Sequence, residues 1–341
     1  MKITILGSPQ AGQQQLFSLL TGVPLGTIQE KPLEVQQGVC SVKDPRVDRL
    51  VQLYHPKKTT YARIEYLLLP DFNLQGPARV SIFKQLKNAD ELCWIARSDN
   101  VEQDIASFVS ELILQDLMLI EKRLGTLAKD KKKGFAEQTA KEQQLMEACK
   151  KELDQEVPLQ RVAFSDEQAK LLKTYQFLTL KPIVLVVNVP EDQIKDLACT
   201  QAIAKQYSFP CVQLSVELEQ EVGGLDAADR SEFMKELGID ESAIDKMTRL
   251  AFTGLGLISF FTVGEDEVRA WPVRKGSSAP EAGSTIHSDI EKGFVRAEMC
   301  KYDDLVSAGS EAKLKESGKY FLKGRDYIVE DGDILSFRFN V

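Results

Sequence analysis

The chain has 341 residues, 43% of them apolar and 28% charged, with a formal net charge of −8. This reads as a soluble protein of two or three domains, with no apolar run near the roughly 18 residues that cross a bilayer, and its acidity excludes a globally basic nucleic-acid binder. Two distant histidines, His55 and His287, and six scattered cysteines without a C-x-x-C pair argue against histidine-based catalysis and a zinc site, and leave metal ligation without candidates.

No charged-then-apolar leader precedes Lys2, which points to a cytoplasmic protein. Lys2 to Gly7 is a β-rich run stopped by glycine, followed by a polar loop and a helical pattern from Leu16. Strand, glycine-bounded loop and helix open a βαβ unit. Ile64 to Leu69, Leu92 to Ala96 and Pro182 to Asn188 are further buried-strand candidates, so the fold class is a doubly wound α/β domain. The alternation breaks near Phe108. Ile113, Leu117, Ile120, Leu124 and Leu127 form one helical stripe, and a second pattern returns through Met146, Cys149 and Leu153. These predict an antiparallel helical hairpin over residues 108–161, inserted into an α/β domain of residues 1–107 and 162–252. Ten acids and ten bases balance in the hairpin, with positive charge bunched at its tip in Lys129, Lys131, Lys132 and Lys133. From residue 253 onward short β runs alternate with glycine and proline turns: Ile258 to Val263, Val268 to Val273, Phe294 to Met299, Tyr327 to Val329 and Ile334 to Val341. With a helix expected over Ser284 to Lys292, residues 253–341 read as a small α+β module. Its twelve bases against fifteen acids give no overall basic character to support RNA binding.

Gly7-Ser8-Pro9-Gln10-Ala11-Gly12-Gln13-Gln14 stands where a phosphate-binding G-x-x-x-x-G-K-[ST] would stand, with Gln15 following. Both glycines are correctly spaced between strand and helix. The lysine that reaches the β- and γ-phosphates is replaced by Gln13, and the hydroxyl that ligates Mg²⁺ by Gln14. Backbone N–H groups and a helix N-terminus can still face an anion. Losing one partner of a buried charged contact costs roughly 2–5 kcal/mol, about 30- to several-thousand-fold in affinity. The plain alternative is a glycine-bounded turn without ligand.

With these landmarks in place, the chain resembles the YchF / Obg-like ATPase family along nearly its whole length. The residues that carry the likeness are Lys43 to Leu50, Phe177 to Asp192, Glu232 to Ile239, Phe260 to Val273, Gly283 to Glu298 and Asp326 to Val341. The resemblance implies a P-loop GTPase-like domain, a coiled-coil insertion and a C-terminal TGS domain of β-grasp type. It also implies ATP or GTP binding and association with the ribosome or its RNA, without a membrane or DNA partner. The base motif N-x-x-E of the family, which favours adenine, is present as Asn188-Val189-Pro190-Glu191, and the neighbouring loop as Ser215-Val216-Glu217. The metal-sensing positions differ together. Pro32 stands at the switch threonine, Leu68 at the aspartate of D-x-x-G and Asp71 at its glycine, with a shortened loop Phe72 to Gly76. Phosphoryl transfer depends on positioning and charge stabilisation, so these losses imply weak ATP binding, no held Mg²⁺ and little or no hydrolysis.

Two rival readings stand beside this one. A working ATPase would need a cation from Lys31, Lys84 or a partner's arginine; a structural interaction protein would bind no nucleotide. The Lys129–Lys133 run is either a contact for ribosomal RNA or a solvated tip. His287 is expected to be a hydrogen-bonding structural residue, and Cys40 and Cys93 small buried ones.

Overall fold

The computed structural model describes residues 1–70, 77–131, 137–237 and 242–340. Its described elements begin β1 (Lys2–Gly7), α1 (Gln13–Thr21), α2 (Leu25–Gln29), β2 (Gln36–Val42), α3 (Pro45–Tyr54), β3 (Lys58–Thr60), β4 (Ala62–Leu68), α4 (Pro77–Asn88), β5 (Glu91–Arg97), α5 (Val101–Lys131) and α6 (Glu137–Asp154). They continue α7 (Asp166–Lys173), β6 (Ile183–Asn188), α8 (Ala198–Tyr207), β7 (Cys211–Leu214), α9 (Val216–Gly224), α10 (Ala227–Leu237) and α11 (Ala243–Gly254). The last are β8 (Leu257–Thr262), β9 (Glu267–Arg274), α12 (Ala279–Ser284), α13 (Ser288–Lys292), β10 (Phe294–Lys301), α14 (Tyr302–Ala308), α15 (Glu311–Glu316), β11 (Phe321–Lys323) and β12 (Asp333–Phe339). The chain divides into two compact units, Met1–Gly38 with Tyr66–Ala243, and Val39–Glu65 with Ile244–Val341.

The first unit is built on the strand order β2-β4-β1-β5-β6-β7. β1, β5, β6 and β7 are parallel, in the register Leu6↔Trp94 and Trp94↔Leu185. Runs such as IVLVV in β6 are buried throughout, as strands covered on both faces must be. β1 lies between β4 and β5, so the chain leaves it in opposite directions, and the crevice at its C-terminal end is where an open α/β sheet receives a ligand. α5 starts at Val101 and its first turns belong to the sheet's cover: Phe108 stacks on Trp94 with ring centroids 4.1 Å apart. Farther along, the expected stripe is packed as expected, Ile113, Ile120 and Leu127 buried with Met146, Cys149 and Leu153 of α6 in the same cluster. Arg123 pairs with Glu142 at 2.6 Å and Lys150 with Glu121 at 3.1 Å, which sets α5 and α6 antiparallel. Asp116, buried in α5, accepts from the backbone N–H groups of Leu178 (2.9 Å) and Thr179 (2.8 Å) and from the Thr179 hydroxyl (2.7 Å).

The second unit is a mixed sheet of order β11-β10-β12-β8-β9-β3. β8 and β9 form an antiparallel hairpin, α12 and α13 follow, and β12 returns between β8 and β10, parallel to one and antiparallel to the other. This is the β-grasp order. Phe260, Trp271, Val273, Ala282 and Leu335 fill its core. His287 caps α13, its Nδ1 accepting from the Asp289 N–H at 3.2 Å. Two features differ from the sequence expectation. Tyr327 to Val329 forms no strand, only a single bridge from Ile328 to Ser278, and β10 pairs instead with β11. In addition, β3 lies parallel to β9, with Lys58↔Glu267 and Thr60↔Arg269. α3, capped by Asp44, joins this unit through Arg46 to Asp331 (2.7 Å) and Tyr54 to Glu311 (2.8 Å).

Candidate functional site

The loop after β1 is shaped by two close approaches. A Cβ on Gly7 would lie 2.5 Å from the Ile95 carbonyl oxygen, so only glycine fits against β5 there. Gly12 has φ +96°, and a Cβ would sit 3.0 Å from Asn188 Nδ2. The Ser8 N–H donates to Ile95 O (3.1 Å), its hydroxyl donates to the Asp104 carboxylate of α5, and Ala11 N–H closes a turn on Ser8 O (3.1 Å). Pro9 and Gln10 are exposed, Gln10 with φ +63°. α1 then begins without a side-chain cap.

Asn188, at the end of β6, binds this loop to the next one. Its Nδ2 donates to Ala11 O and its Oδ1 accepts from Val216 N–H, each at 3.0 Å. Ser215 is buried and caps α9, accepting from Leu218 N–H at 3.4 Å. The residues 7–12 and 215–217 are thus held by one amide. Gln10, Asn188, Ser215 and Glu217 line a common pocket of about 400 Å³. Arg97 and Asp99 line it as well and pair with each other, the hydrogen bond holding the Asp99 carboxyl low and the guanidinium pKa high. Glu191 does not line this pocket; it is exposed at the start of a short 3₁₀ turn that follows the lining residue Pro190. Sequence reasoning missed Arg97 and Asp99. The signal that places Arg97 is its register opposite Asn188, at the C-terminal ends of neighbouring parallel strands.

Gln13 is buried at 7% exposure, Gln14 and Gln15 are half-buried, and Gln13 and Gln14 line a separate cavity of about 80 Å³. Its other described walls mix apolar residues, Ile28, Pro32, Leu33 and Leu68, with Gln36 and one ion pair, Lys31 to Glu34 at 3.0 Å, so that polar atoms make up most of its surface. Lys84 is exposed on α4 and does not line it. At positions 13 and 14 two carboxamides offer neither a fixed cation nor an anionic oxygen, and the Lys31 and Glu34 charges on the same cavity are paired with each other. Among the described residues no three His, Cys, Asp or Glu side chains are grouped so that they could hold a metal. Asp71 to Gly76 lie outside the described residues, as do Lys132 and Lys133; Lys129 is exposed near the end of α5, and Lys131 is its last residue.

Residues 257–340 match the family model YchF-GTPase_C, described as "Protein of unknown function (DUF933)". Over 99% of its length the chain is 34% identical to a protein of Bacillus subtilis named Ribosome-binding ATPase YchF, covering 98% of that protein. The chain belongs to the YchF family. A YchF of Pasteurella multocida with the same name is 32% identical over all of the chain and 99% of its own length. The fold matches the structure of the Schizosaccharomyces pombe YchF GTPase with a TM-score of 0.87 at 27% identity, over 99% of this chain and 97% of that one. Within this YchF fold, the loop after β1 keeps its glycine spacing while its side chains at 13 and 14 are amides.

Proposed function

We propose that this YchF-family chain is a regulatory binding module that associates with ribosomes, binds adenine nucleotide weakly and hydrolyses it slowly or not at all. The names of the B. subtilis and P. multocida relatives support the ribosome and ATP as partners. Weak turnover rests on one observation, the placing of Gln13 and Gln14 on an 80 Å³ cavity whose described charges, Lys31 and Glu34, are paired with each other. Ligand pockets ordinarily measure about 300–1,000 Å³. The 400 Å³ pocket at Asn188 reaches that range and the cavity at Gln13 does not. The nucleoside end of a ligand therefore has room and polar partners, whereas terminal phosphates meet a smaller cavity in which the described cation, Lys31, is held by Glu34. Asn188 and Ser215 to Glu217 frame the base, with Glu191 next to Pro190 as the adenine-preferring position, and the Gly7–Gln15 loop lies toward the phosphates. Residues 253–341 act as a TGS docking module, residues 108–161 as a coiled-coil arm, and the protein works in the cytoplasm.

Lys31 favours the rival reading, because it lines the same cavity and, freed from Glu34, could supply the charge that Gln13 lacks. Calorimetric titration with ATP, ADP and GTP, with and without Mg²⁺, tests both, together with ATP turnover on ribosomes. The proposal expects Mg²⁺-independent binding and negligible turnover. Mg²⁺-dependent turnover that is lost in Lys31→Ala selects the rival.

A further inference from the structure

The second unit carries a groove of about 320 Å³ lined by residues of β3, of the start of β4 and of β9. Lys58, Arg63 and Arg269 bring three cationic heads to it, no carboxylate is among its described lining residues, and Glu267, paired with Lys58 and within electrostatic reach of Arg269, offsets one of the three charges. The parallel register of β3 on β9 sets Thr60 beside Arg269 and Lys58 beside Glu267. Glu267 is spent on the strand pair itself, accepting from Thr60 (2.6 Å) and Lys58 (2.9 Å). Arg269 lies over Trp271, its guanidinium carbon 3.6 Å from the ring centroid. The indole is 9% exposed, so the groove presents the guanidinium plane rather than the ring. This unit also escapes the acidity of the chain: it holds 20 Lys and Arg against 19 Asp and Glu, while the whole chain is at −8. The sequence of residues 253–341 concealed this, because Lys58 and Arg63 come from far upstream.

We propose that this groove docks one to two nucleotides of single-stranded RNA, with phosphates on Lys58 and Arg63 and a base stacked on Arg269. Guanidinium groups match phosphate oxygens bidentately, and a guanidinium plane accepts an unstacked base. An acidic peptide would satisfy the cations but leave that plane without a partner. The inference rests on the ribosome-associated reading above, and gives it a contact surface.

The test uses the full chain and a fluorescein-labelled single-stranded RNA octamer, followed by anisotropy across a salt series. Two neutralised phosphates give a slope of log K against log salt of about −1.4. Lys58→Gln and Arg63→Gln should each flatten it by about 0.7. Arg269→Gln should weaken RNA binding about 5- to 150-fold, the range of one stacked base, and weaken a polyphosphate of equal charge far less. Circular dichroism confirms that each variant is folded, and Lys173→Gln, at an exposed position of α7, should leave the slope unchanged. The proposal is overturned if the groove variants bind RNA as the parent does, or if polyglutamate or polyphosphate competes as well as RNA. Ribosome co-sedimentation separates the two levels. Pelleting that is equal for parent and triple variant overturns the groove and keeps the ribosome reading. RNA binding that depends on the groove, without any pelleting of the parent, upholds the groove and ends the ribosome reading.

Discussion

Glu91 opens β5 with its side chain wholly inside the first unit, and neither carboxylate oxygen has a hydrogen-bond partner among the described residues. Burial pushes its pKa up from 4.5 to about 9. At neutral pH the native chain holds a proton there that the unfolded chain releases. The sign is therefore the reverse of that for an ion-paired carboxylate. No penalty exists below about pH 4.5; from there to about pH 9 each unit of pH costs the native state about 1.4 kcal/mol. Glu91→Gln replaces the protonated acid with a neutral side chain of the same shape. Relative to the parent it should be nearly neutral at pH 5, more stable by about 3 kcal/mol at pH 7 and by about 5 kcal/mol at pH 8. Urea unfolding at these three values, with tryptophan emission as the probe, measures the difference; Trp94 lies on the same strand. Parallel pH profiles for parent and variant would show that the carboxylate ionises inside the fold, and the burial argument would fail.

Asn188→Ala removes both ties between the 7–12 and 215–217 loops and should cost about 1–3 kcal/mol, two hydrogen bonds of ordinary worth. Hydrogen exchange should then rise at Val216, and adenine-nucleotide affinity should fall in calorimetry. Gly12→Ala places a Cβ 3.0 Å from Asn188 Nδ2 at φ +96°, and thermal melts should show a loss of about 1–3 kcal/mol. Asp116→Ala leaves the Leu178 and Thr179 donors buried without their acceptor, so urea unfolding should report a loss of about 2–4 kcal/mol. The double substitution Gln13→Lys with Gln14→Thr should raise Mg²⁺-ATP affinity at least about 10-fold if missing charge is what limits it. No gain would place the limit in the small size of the cavity.

The strands that the sequence shows most clearly are those with an unbroken apolar stretch. β6 and β5 sit where the runs Ile183 to Val187 and Leu92 to Ala96 lie, because the stretch of a strand covered on both faces is apolar. The α5 stripe was legible for the same reason, through its helical spacing. Lys58 to Thr60 gives no such signal. KTT is a strand only because β9 offers an edge, and an edge belongs to the tertiary structure rather than to the three residues. At the candidate site, the glycines at 7 and 12 were readable from spacing and the asparagine at 188 from the family resemblance. Arg97 and Asp99 were not, since a charged pair at a strand end resembles any solvated turn until the neighbouring strand is placed beside it.

The pairing of β3 with β9 constrains how the molecule is made. Thr60 and Glu267 are bonded across 207 positions. At about 5–20 residues per second, a nascent β3 waits roughly 10–40 s for its mate to be translated. During that interval the basic stretch from Lys57 to Arg63 has no sheet to join. A message truncated before β9 would leave it permanently unpaired, so the second unit matures only after β9 has been translated.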